Sequence, residues 1–132
     1  MKTSMKIFSL AAFALISVSA LAQEGQPWIH DPSTIMECDG KYYTFGTGGG
    51  GLISEDGWNW YPGAVRPGGG AAPDALKIGD KYLVAYSSTG GGLGGGHAGR
   101  ILTMWNKTLD PSSPDFAFTE PIEVASSQVD ED

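Results

Sequence analysis

Two aspartates that stand next to prolines are the residues of this chain best suited to acid–base chemistry. Asp31 lies in Trp-Ile-His-Asp-Pro at 28–32, and Asp74 closes Ala-Ala-Pro-Asp at 71–74. Two carboxylates that face one pocket can hydrolyse a glycosidic bond, because one protonates the leaving oxygen while the other activates water or attacks the sugar. Asp-Pro and Pro-Asp are also common turn dipeptides, so a purely structural turn role is the alternative for both.

The segments that must position these aspartates are predicted to be β-strands. Residues 41–45 and 81–86 are rich in aromatic and β-branched side chains, and each run follows a turn made by aspartate and glycine. Residues 101–105 form a third apolar run and residues 122–125 a weaker fourth. No segment after residue 22 keeps a period of 3.6 residues between helix caps, so the sequence predicts little helix.

The two strongest strands belong to an internal repeat. Lys41 and Lys81 lie 40 positions apart, and each is preceded by an aspartate-bearing segment and followed by a glycine cluster. A period of roughly 40 residues with several strands per unit is typical of β-propeller blades, although two copies can also arise by chance. The inner strand of each blade lines the central channel, so Asp31 and Asp74 are expected to converge there. A closed ring needs roughly four to eight blades. The sequence therefore predicts an all-β fold with about the first two blades of a propeller.

The first 22 residues are predicted to be a signal peptide. Lys2 and Lys6 make the start of the chain basic, and an apolar run over 7–18 follows that is too short to span a membrane. Ala-Leu-Ala at 20–22 has the small-x-small pattern that signal peptidase accepts. We expect cleavage between Ala22 and Gln23, and a secreted or periplasmic protein. Residues 23–132 then form the N-terminal, incomplete part of a propeller domain.

The mature chain is strongly acidic and has one cysteine. Without Lys2 and Lys6, six basic residues remain against fifteen acidic ones, which gives a formal charge near −9. Because such a chain repels nucleic acid and anionic membranes, we expect neither as a partner, and a neutral substrate suits it better. Cys38 cannot form a disulfide within the chain, so its thiol is either buried or paired beyond Asp132.

Four motifs, in their order and spacing, carry a resemblance to a known family. They are His-Asp-Pro-Ser-Thr-Ile at 30–35, Asp-Gly-Lys-Tyr-Tyr-Thr-Phe-Gly-Thr-Gly-Gly-Gly at 39–50, Ser-Glu-Asp-Gly-Trp-Asn-Trp at 54–60 and Ala-Pro-Asp at 72–74. From Trp28 to about Ile122 the chain resembles glycoside hydrolase family 43, and within it the endo-arabinanase-like enzymes. The resemblance implies a five-bladed β-propeller that cleaves α-L-arabinofuranosyl or β-xylosyl bonds with inversion. Arabinan is the first expected substrate, and xylan-derived chains are the second.

The same resemblance implies roles for individual residues. Asp31 falls on the general base of the family, and His30 beside it is expected to bind substrate. Asp74 is expected to contact the sugar rather than transfer a proton. Ala71 stands where the family commonly has tryptophan, which leaves the sugar specificity open. The family's general acid and its pKa-tuning aspartate come from later blades and have no counterpart here.

The resemblance also bears on cofactors and assembly. No cofactor and no metal ligand is expected within this chain. A structural calcium in the complete protein would take its protein ligand from a later blade. We expect a monomer that binds a polysaccharide or oligosaccharide, and we expect these two blades alone to be inactive.

A non-catalytic sugar-binding propeller is the alternative function. Residues 54–60 loosely resemble the aspartate-box hairpins of sialidase-like propellers, some of which only bind, but no second copy appears near position 95. We interpret 54–57 as a tight turn before an outer strand, and favour packing or turn roles for Trp58, Trp60 and Tyr61 over sugar stacking. The glycine-rich stretch 90–96 is predicted to be a mobile loop near the channel rim.

Overall fold

The computed structural model describes residues 22–88 and 99–127, which form two four-stranded antiparallel sheets. The first sheet contains β1 (Met36–Cys38), β2 (Lys41–Phe45), β3 (Gly50–Ser54) and β4 (Tyr61–Val65). The second contains β5 (Ala71–Ile78), β6 (Lys81–Ser88), β7 (Arg100–Asn106) and β8 (Ile122–Ser126). In both sheets each strand pairs with the next one along the chain. The predicted all-β class is confirmed, and the described residues contain no helix.

Each of the four apolar runs predicted to be strands lies within a strand, namely β2, β6, β7 and β8. The turn before β2 uses Asp39 and Gly40, whose φ angles of 53° and 77° lie in the left-handed region that aspartate and glycine tolerate. β3 was not predicted, because it begins with two glycines, which are typical of a turn. Gly51 is required inside the strand, since a Cβ there would overlap the carbonyl oxygen of Thr44 on β2.

The core lies between the two sheets. Its buried side chains are Cys38, Tyr43, Phe45 and Ala64 from the first sheet and Ala75, Tyr82, Val84, Tyr86, Met104 and Leu109 from the second sheet and the segment that follows β7. The Cys38 thiol is 2% exposed, and its sulfur accepts a hydrogen bond from the backbone N–H of Leu109 at 3.3 Å. Burial therefore accounts for this cysteine.

Contacts between the sheets place β5 against β1 and β2. The hydroxyl of Tyr82 donates to the carbonyl oxygen of Glu37 at 2.9 Å, and burial raises the pKa of that phenol, so the hydroxyl stays protonated and keeps donating. The first strand of the second sheet thus runs beside the first two strands of the first sheet. This junction is where the candidate site lies.

Two predictions fall outside the residues that the structure describes. The predicted signal peptide covers residues 1–22, of which the structure describes only Ala22, and the predicted loop at 90–96 lies wholly outside the described residues. Over 22–88 and 99–127, the fold offers no helix with the length and apolar character that a membrane crossing needs.

Candidate functional site

Asp31 lies in the segment that leads into β1, and hydrogen bonds on either side of Asp31 join that segment to the end of β2 and to the loop that follows β2. The backbone N–H of Thr47 donates to the carbonyl oxygen of His30 at 2.9 Å, and the N–H of Ser33 donates to the carbonyl oxygen of Phe45 at 2.8 Å. Between these two hydrogen bonds Asp31 has a φ of 49°, in the left-handed region. Aspartate reaches that region more easily than most residues, which fits its presence at this bend.

The carboxylate of Asp31 is held by one oxygen only. Its Oδ2 lies 2.9 Å from Nδ1 of His30 and accepts a hydrogen bond from the hydroxyl of Thr47 at 3.0 Å. Within the described part of the chain, Oδ1 accepts no hydrogen bond, and 47% of the side chain is exposed. A half-exposed carboxylate that is anchored through one oxygen can take a proton from a water molecule.

A β-bulge brings the second sheet to the same place. The pairing of β5 with β6 shifts register between Ala71 and Asp74, and Ala72 within the bulge has a φ of 43°. The N–H of Ala72 donates to the Thr47 hydroxyl oxygen at 2.9 Å. A left-handed alanine costs about 1–2 kcal/mol, and bulges often redirect side chains beside functional sites.

Asp74 follows the bulge and is held as an ionised acceptor. Its Oδ1 accepts hydrogen bonds from the backbone N–H of Thr34 at 3.0 Å and from that of Ala75 at 2.9 Å. Hydrogen bonds from the backbone and side chain of Thr34 lower the pKa of Asp74. A carboxylate stabilised in this way accepts hydrogen bonds from a ligand and is a poor proton donor.

The two aspartates do not occupy equivalent positions, although the repeat suggested that they did. Asp31 lies ten residues before Lys41 and outside β1, whereas Asp74 lies seven residues before Lys81 and inside β5. The residue of the first sheet seven positions before Lys41 is Thr34, whose N–H binds Asp74. Both carboxylates nevertheless link the two sheets. Asp74 binds the N–H of Thr34 directly, and Asp31 binds the hydroxyl of Thr47, which in turn accepts the N–H of Ala72.

His30 and the aromatic residues of the β3–β4 hairpin differ in their surroundings. His30 is 75% exposed and turns Nδ1 toward Asp31. Trp60 pairs through its backbone with the segment at Gly25 and Gln26, while Trp58 and Tyr61 are exposed. The predicted tight turn and the strand that follows it are confirmed by the hairpin.

Sequence reasoning gave no role to Thr47, Thr34 or Arg66. Arg66 is 4% exposed, and its guanidinium lies 4.4 Å above the ring centre of Tyr86. It donates to the carbonyl oxygens of Gly69 and, at 3.5 Å, Gly46, so it joins the loops that precede β3 and β5. Burial lowers the pKa of its guanidinium. Only the Phe-Gly-Thr-Gly motif could have pointed to Thr47; nothing in the sequence marks Arg66.

A bound metal ion needs several donor side chains close together. Over the two described ranges, no three histidine, cysteine, aspartate or glutamate side chains lie together in a group that could hold an ion. The calcium ligand that the resemblance implies would come from a later blade, so a structural calcium in the complete protein stays a prediction.

No protein-family model matches the chain. An Aspergillus flavus protein named "Probable arabinan endo-1,5-alpha-L-arabinosidase A" is 38% identical over a stretch that covers 45% of this chain and 23% of that protein. An exo-1,5-alpha-L-arabinanase from a bovine ruminal metagenomic library has a TM-score of 0.63 and 34% identity, covering 74% of this chain and 36% of its own. A Cellvibrio cellulosa alpha-L-arabinanase variant has a TM-score of 0.64 and 25% identity, covering 79% and 37%.

The chain thus spans about a quarter of the curated relative and just over a third of the solved enzymes. Sequence and fold point to the same group of proteins over most of the described residues. The resemblance predicted from the motifs is therefore confirmed: this chain is similar in sequence and in fold to the arabinanases of glycoside hydrolase family 43.

Proposed function

We propose that the protein hydrolyses arabinan with inversion of configuration, and that Asp31 is its general base. The observation that carries the proposal is the half-exposed Asp31 carboxylate, anchored through Oδ2 and free at Oδ1, at the junction of two sheets. The similarity to arabinanases supplies the substrate class. The Cellvibrio enzyme has been solved with arabinohexaose, which supports an oligosaccharide of this sugar as ligand.

In this mechanism Oδ1 of Asp31 takes a proton from a water molecule that attacks the anomeric carbon opposite the leaving group. Inverting glycosidases hold their two carboxyl groups roughly 6.5–9.5 Å apart to make room for that water. Asp74, kept ionised by Thr34, accepts a hydrogen bond from a sugar hydroxyl. His30 is exposed next to Asp31 and contacts the same sugar.

The two sheets are, in this proposal, the first two blades of a five-bladed propeller. Their identical strand order and the repeat between Lys41 and Lys81 support this, as does the length of the similar enzymes. Later blades supply the general acid, the pKa-tuning aspartate and any calcium ligand. The protein is exported after cleavage at Ala22 and acts as a monomer.

Hydrolysis by the full-length protein is the direct test. We expect linear arabinan and arabinohexaose to be cleaved, with the β-anomer as the first product of an α-linked substrate in NMR spectra. Faster cleavage of xylo-oligosaccharides would move the substrate class to xylan-derived chains, which Ala71 in place of tryptophan leaves open. Binding of arabinohexaose without any turnover would instead support the sugar-binding alternative.

Substitution of Asp31 tests its role. Asp31→Asn is expected to lower kcat by about 10²–10⁴-fold with little change in KM, because a general base acts in the transition state. Asp80→Asn is the matched control, since Asp80 is an exposed aspartate in the turn before β6. Circular dichroism and arabinohexaose binding must be intact in both variants. Turnover by Asp31→Asn within about tenfold of the wild type would show that another group is the base.

A further inference from the structure

We infer that Thr47 is a positioning residue that fixes the carboxylate of Asp31 for proton transfer. The inference rests on the proposed role of Asp31 as base. Thr47 lies in the loop between β2 and β3 and makes three hydrogen bonds at the junction. Its N–H binds the carbonyl oxygen of His30 at 2.9 Å, its hydroxyl binds Oδ2 of Asp31 at 3.0 Å, and its hydroxyl oxygen receives the N–H of Ala72 at 2.9 Å.

The chemistry of these groups fixes the direction of each hydrogen bond. A hydroxyl has one proton to donate and two lone pairs, a backbone N–H can only donate, and an ionised carboxylate can only accept. The Ala72 N–H occupies a lone pair of the Thr47 oxygen, so the hydroxyl proton points to Asp31. Oδ2 is then engaged, which leaves Oδ1 as the oxygen that meets water.

Asp31 needs such a contact because little else restrains it. Its side chain is 47% exposed, and within the described residues its other polar neighbour is the ring of His30, which is itself 75% exposed. Thr47 differs from His30 because its backbone and its side chain join both sheets. A misplacement of about 1 Å in a reacting group can cost about 10²-fold in rate, so a contact of this kind bears directly on turnover.

The loop that carries Thr47 is itself restrained from the other side. Arg66 donates to Gly46, next to Thr47, and to Gly69 in the loop that leads into β5. The N–H of Gly48 donates to the carbonyl oxygen of Gly70 at 2.8 Å, which joins the same two loops again. These contacts set the distance between Thr47 and Ala72, so the Thr47 hydroxyl is placed relative to both sheets.

If the Thr47 hydroxyl only accepted the Ala72 N–H and did not position Asp31, its removal would leave kcat unchanged. Three variants distinguish this structural role from the positioning role. Thr47→Val removes the hydroxyl at nearly constant shape, and Thr47→Ser restores it. Thr119→Val is the matched control, because the exposed Thr119 accepts the backbone N–H of Trp105 at 3.0 Å, away from Asp31 in sequence and sheet. Each would be assayed in the full-length enzyme with arabinohexaose, and the Thr47→Val enzyme would also be crystallised.

We expect Thr47→Val to lower kcat about 10–10²-fold with KM unchanged within about twofold, and Thr47→Ser to stay within about threefold of the wild type. Thr119→Val should lose a similar amount of stability and keep its kcat. In the Thr47→Val crystal structure the Asp31 carboxylate should leave its wild-type rotamer.

Results contrary to these expectations distinguish a failure of the positioning role from a failure of the proposed function. A Thr47→Val enzyme with wild-type kcat, or a Thr47→Ser enzyme as slow as Thr47→Val, overturns the positioning role and leaves the proposed function standing. An unchanged Asp31 rotamer in the crystal overturns the positioning role whatever the substrate. A wild-type enzyme that hydrolyses neither arabinan nor xylo-oligosaccharides overturns the proposed function, and the positioning role falls with it.

Discussion

At the scale of single residues, Asp31 and Asp74 are carboxylates with different partners and hence different uses. Among the described residues, Asp31 is bound by side chains through Oδ2 alone, whereas Asp74 is bound by two backbone N–H groups through Oδ1. The backbone N–H of Thr34 is fixed by the chain, and hydrogen bonds from Thr34 lower the pKa of Asp74. This difference in hydrogen bonding supports the proposed roles, proton transfer for Asp31 and ligand contact for Asp74.

Replacement of Asp74 should therefore affect binding at least as much as turnover. We expect Asp74→Asn to raise KM for arabinohexaose by at least the factor by which it lowers kcat, because a contact to the ground-state sugar is lost. Calorimetric titration of the sugar into Asp31→Asn, with and without Asp74→Asn, measures the binding loss without turnover. Unchanged affinity combined with a large loss of kcat would instead give Asp74 a part in the chemical step.

The sequence analysis proposed Asp31, His30 and Asp74 as site residues, but the residues that position them could not be predicted. Asp-Pro and Pro-Asp stand out as motifs, and a resemblance can assign them roles. Thr34 and Thr47 act through hydrogen bonds to residues 40 and 16 positions away. Such contacts depend on how two sheets pack, and no local pattern encodes that packing.

At the scale of structural elements, the β3–β4 hairpin shows how one carboxylate can organise a turn. Oδ1 of Asp56 accepts the N–H groups of Trp58 at 2.9 Å and Asn59 at 2.7 Å and the hydroxyl of Ser54 at 3.1 Å. Hydrogen bonds from the Asn59 and Trp58 backbones lower the pKa of Asp56 to about 2. The ionised form is therefore the one that the folded turn prefers.

This preference predicts a pH dependence of stability. The folded pKa of Asp56 lies below the ordinary 3.8, so its contribution is fully present above about pH 4 and is lost as the pH falls toward 2. We expect Asp56→Asn to lower the Tm at pH 6. The difference in Tm between this variant and the wild type should become smaller as the pH approaches 2. Glu55→Gln is the matched control, since Glu55 lies next to Asp56 and makes an exposed ion pair with Lys41 at 3.6 Å. An Asp56→Asn gap that stays constant from pH 6 to 2 would contradict the prediction.

The bulge in β5 carries a separate prediction about strain. Ala72 has a φ of 43°, where alanine loses about 1–2 kcal/mol and glycine loses almost nothing. Glycine also costs about 0.5–1 kcal/mol of backbone entropy, so Ala72→Gly should be neutral or stabilising by up to about 1.5 kcal/mol. Ala85→Gly, in the ordinary part of β6, should be destabilising. Urea unfolding of both variants measures the contrast, and an equal loss of stability in the two would contradict a strained Ala72.

Strand prediction succeeded where aromatic and β-branched residues dominate and failed where glycine does. β2 and β6 were predicted within a few residues, whereas β3 was missed because its glycines serve close packing rather than a turn. β5 was missed for another reason, since Pro73 and the bulge interrupt its alternation. In both cases the contact with a neighbouring strand decides the structure.

At the scale of the whole molecule, the repeat predicted two units and the structure contains two sheets of identical strand order. The second sheet leaves large apolar side chains exposed on β5, β7 and β8, between 40% and 59% each: Leu76, Ile78, Ile101, Ile122 and Val124. In repeat architectures each unit buries its apolar faces against its neighbours. The exposed side chains are what a further blade would cover.

Residues 23–132 produced alone should therefore self-associate and melt without a sharp transition. Exposed apolar patches of this kind drive association. A sheet whose apolar side chains remain exposed also lacks the stabilisation that their burial would give. Sedimentation velocity gives the association state and calorimetry gives the cooperativity. Leu76→Thr combined with Ile78→Thr should reduce the association, because both exposed side chains project from the same face of β5. A monodisperse monomer with equal calorimetric and van't Hoff enthalpies would show that the two sheets are a complete folding unit, and the five-bladed architecture would then have to be abandoned.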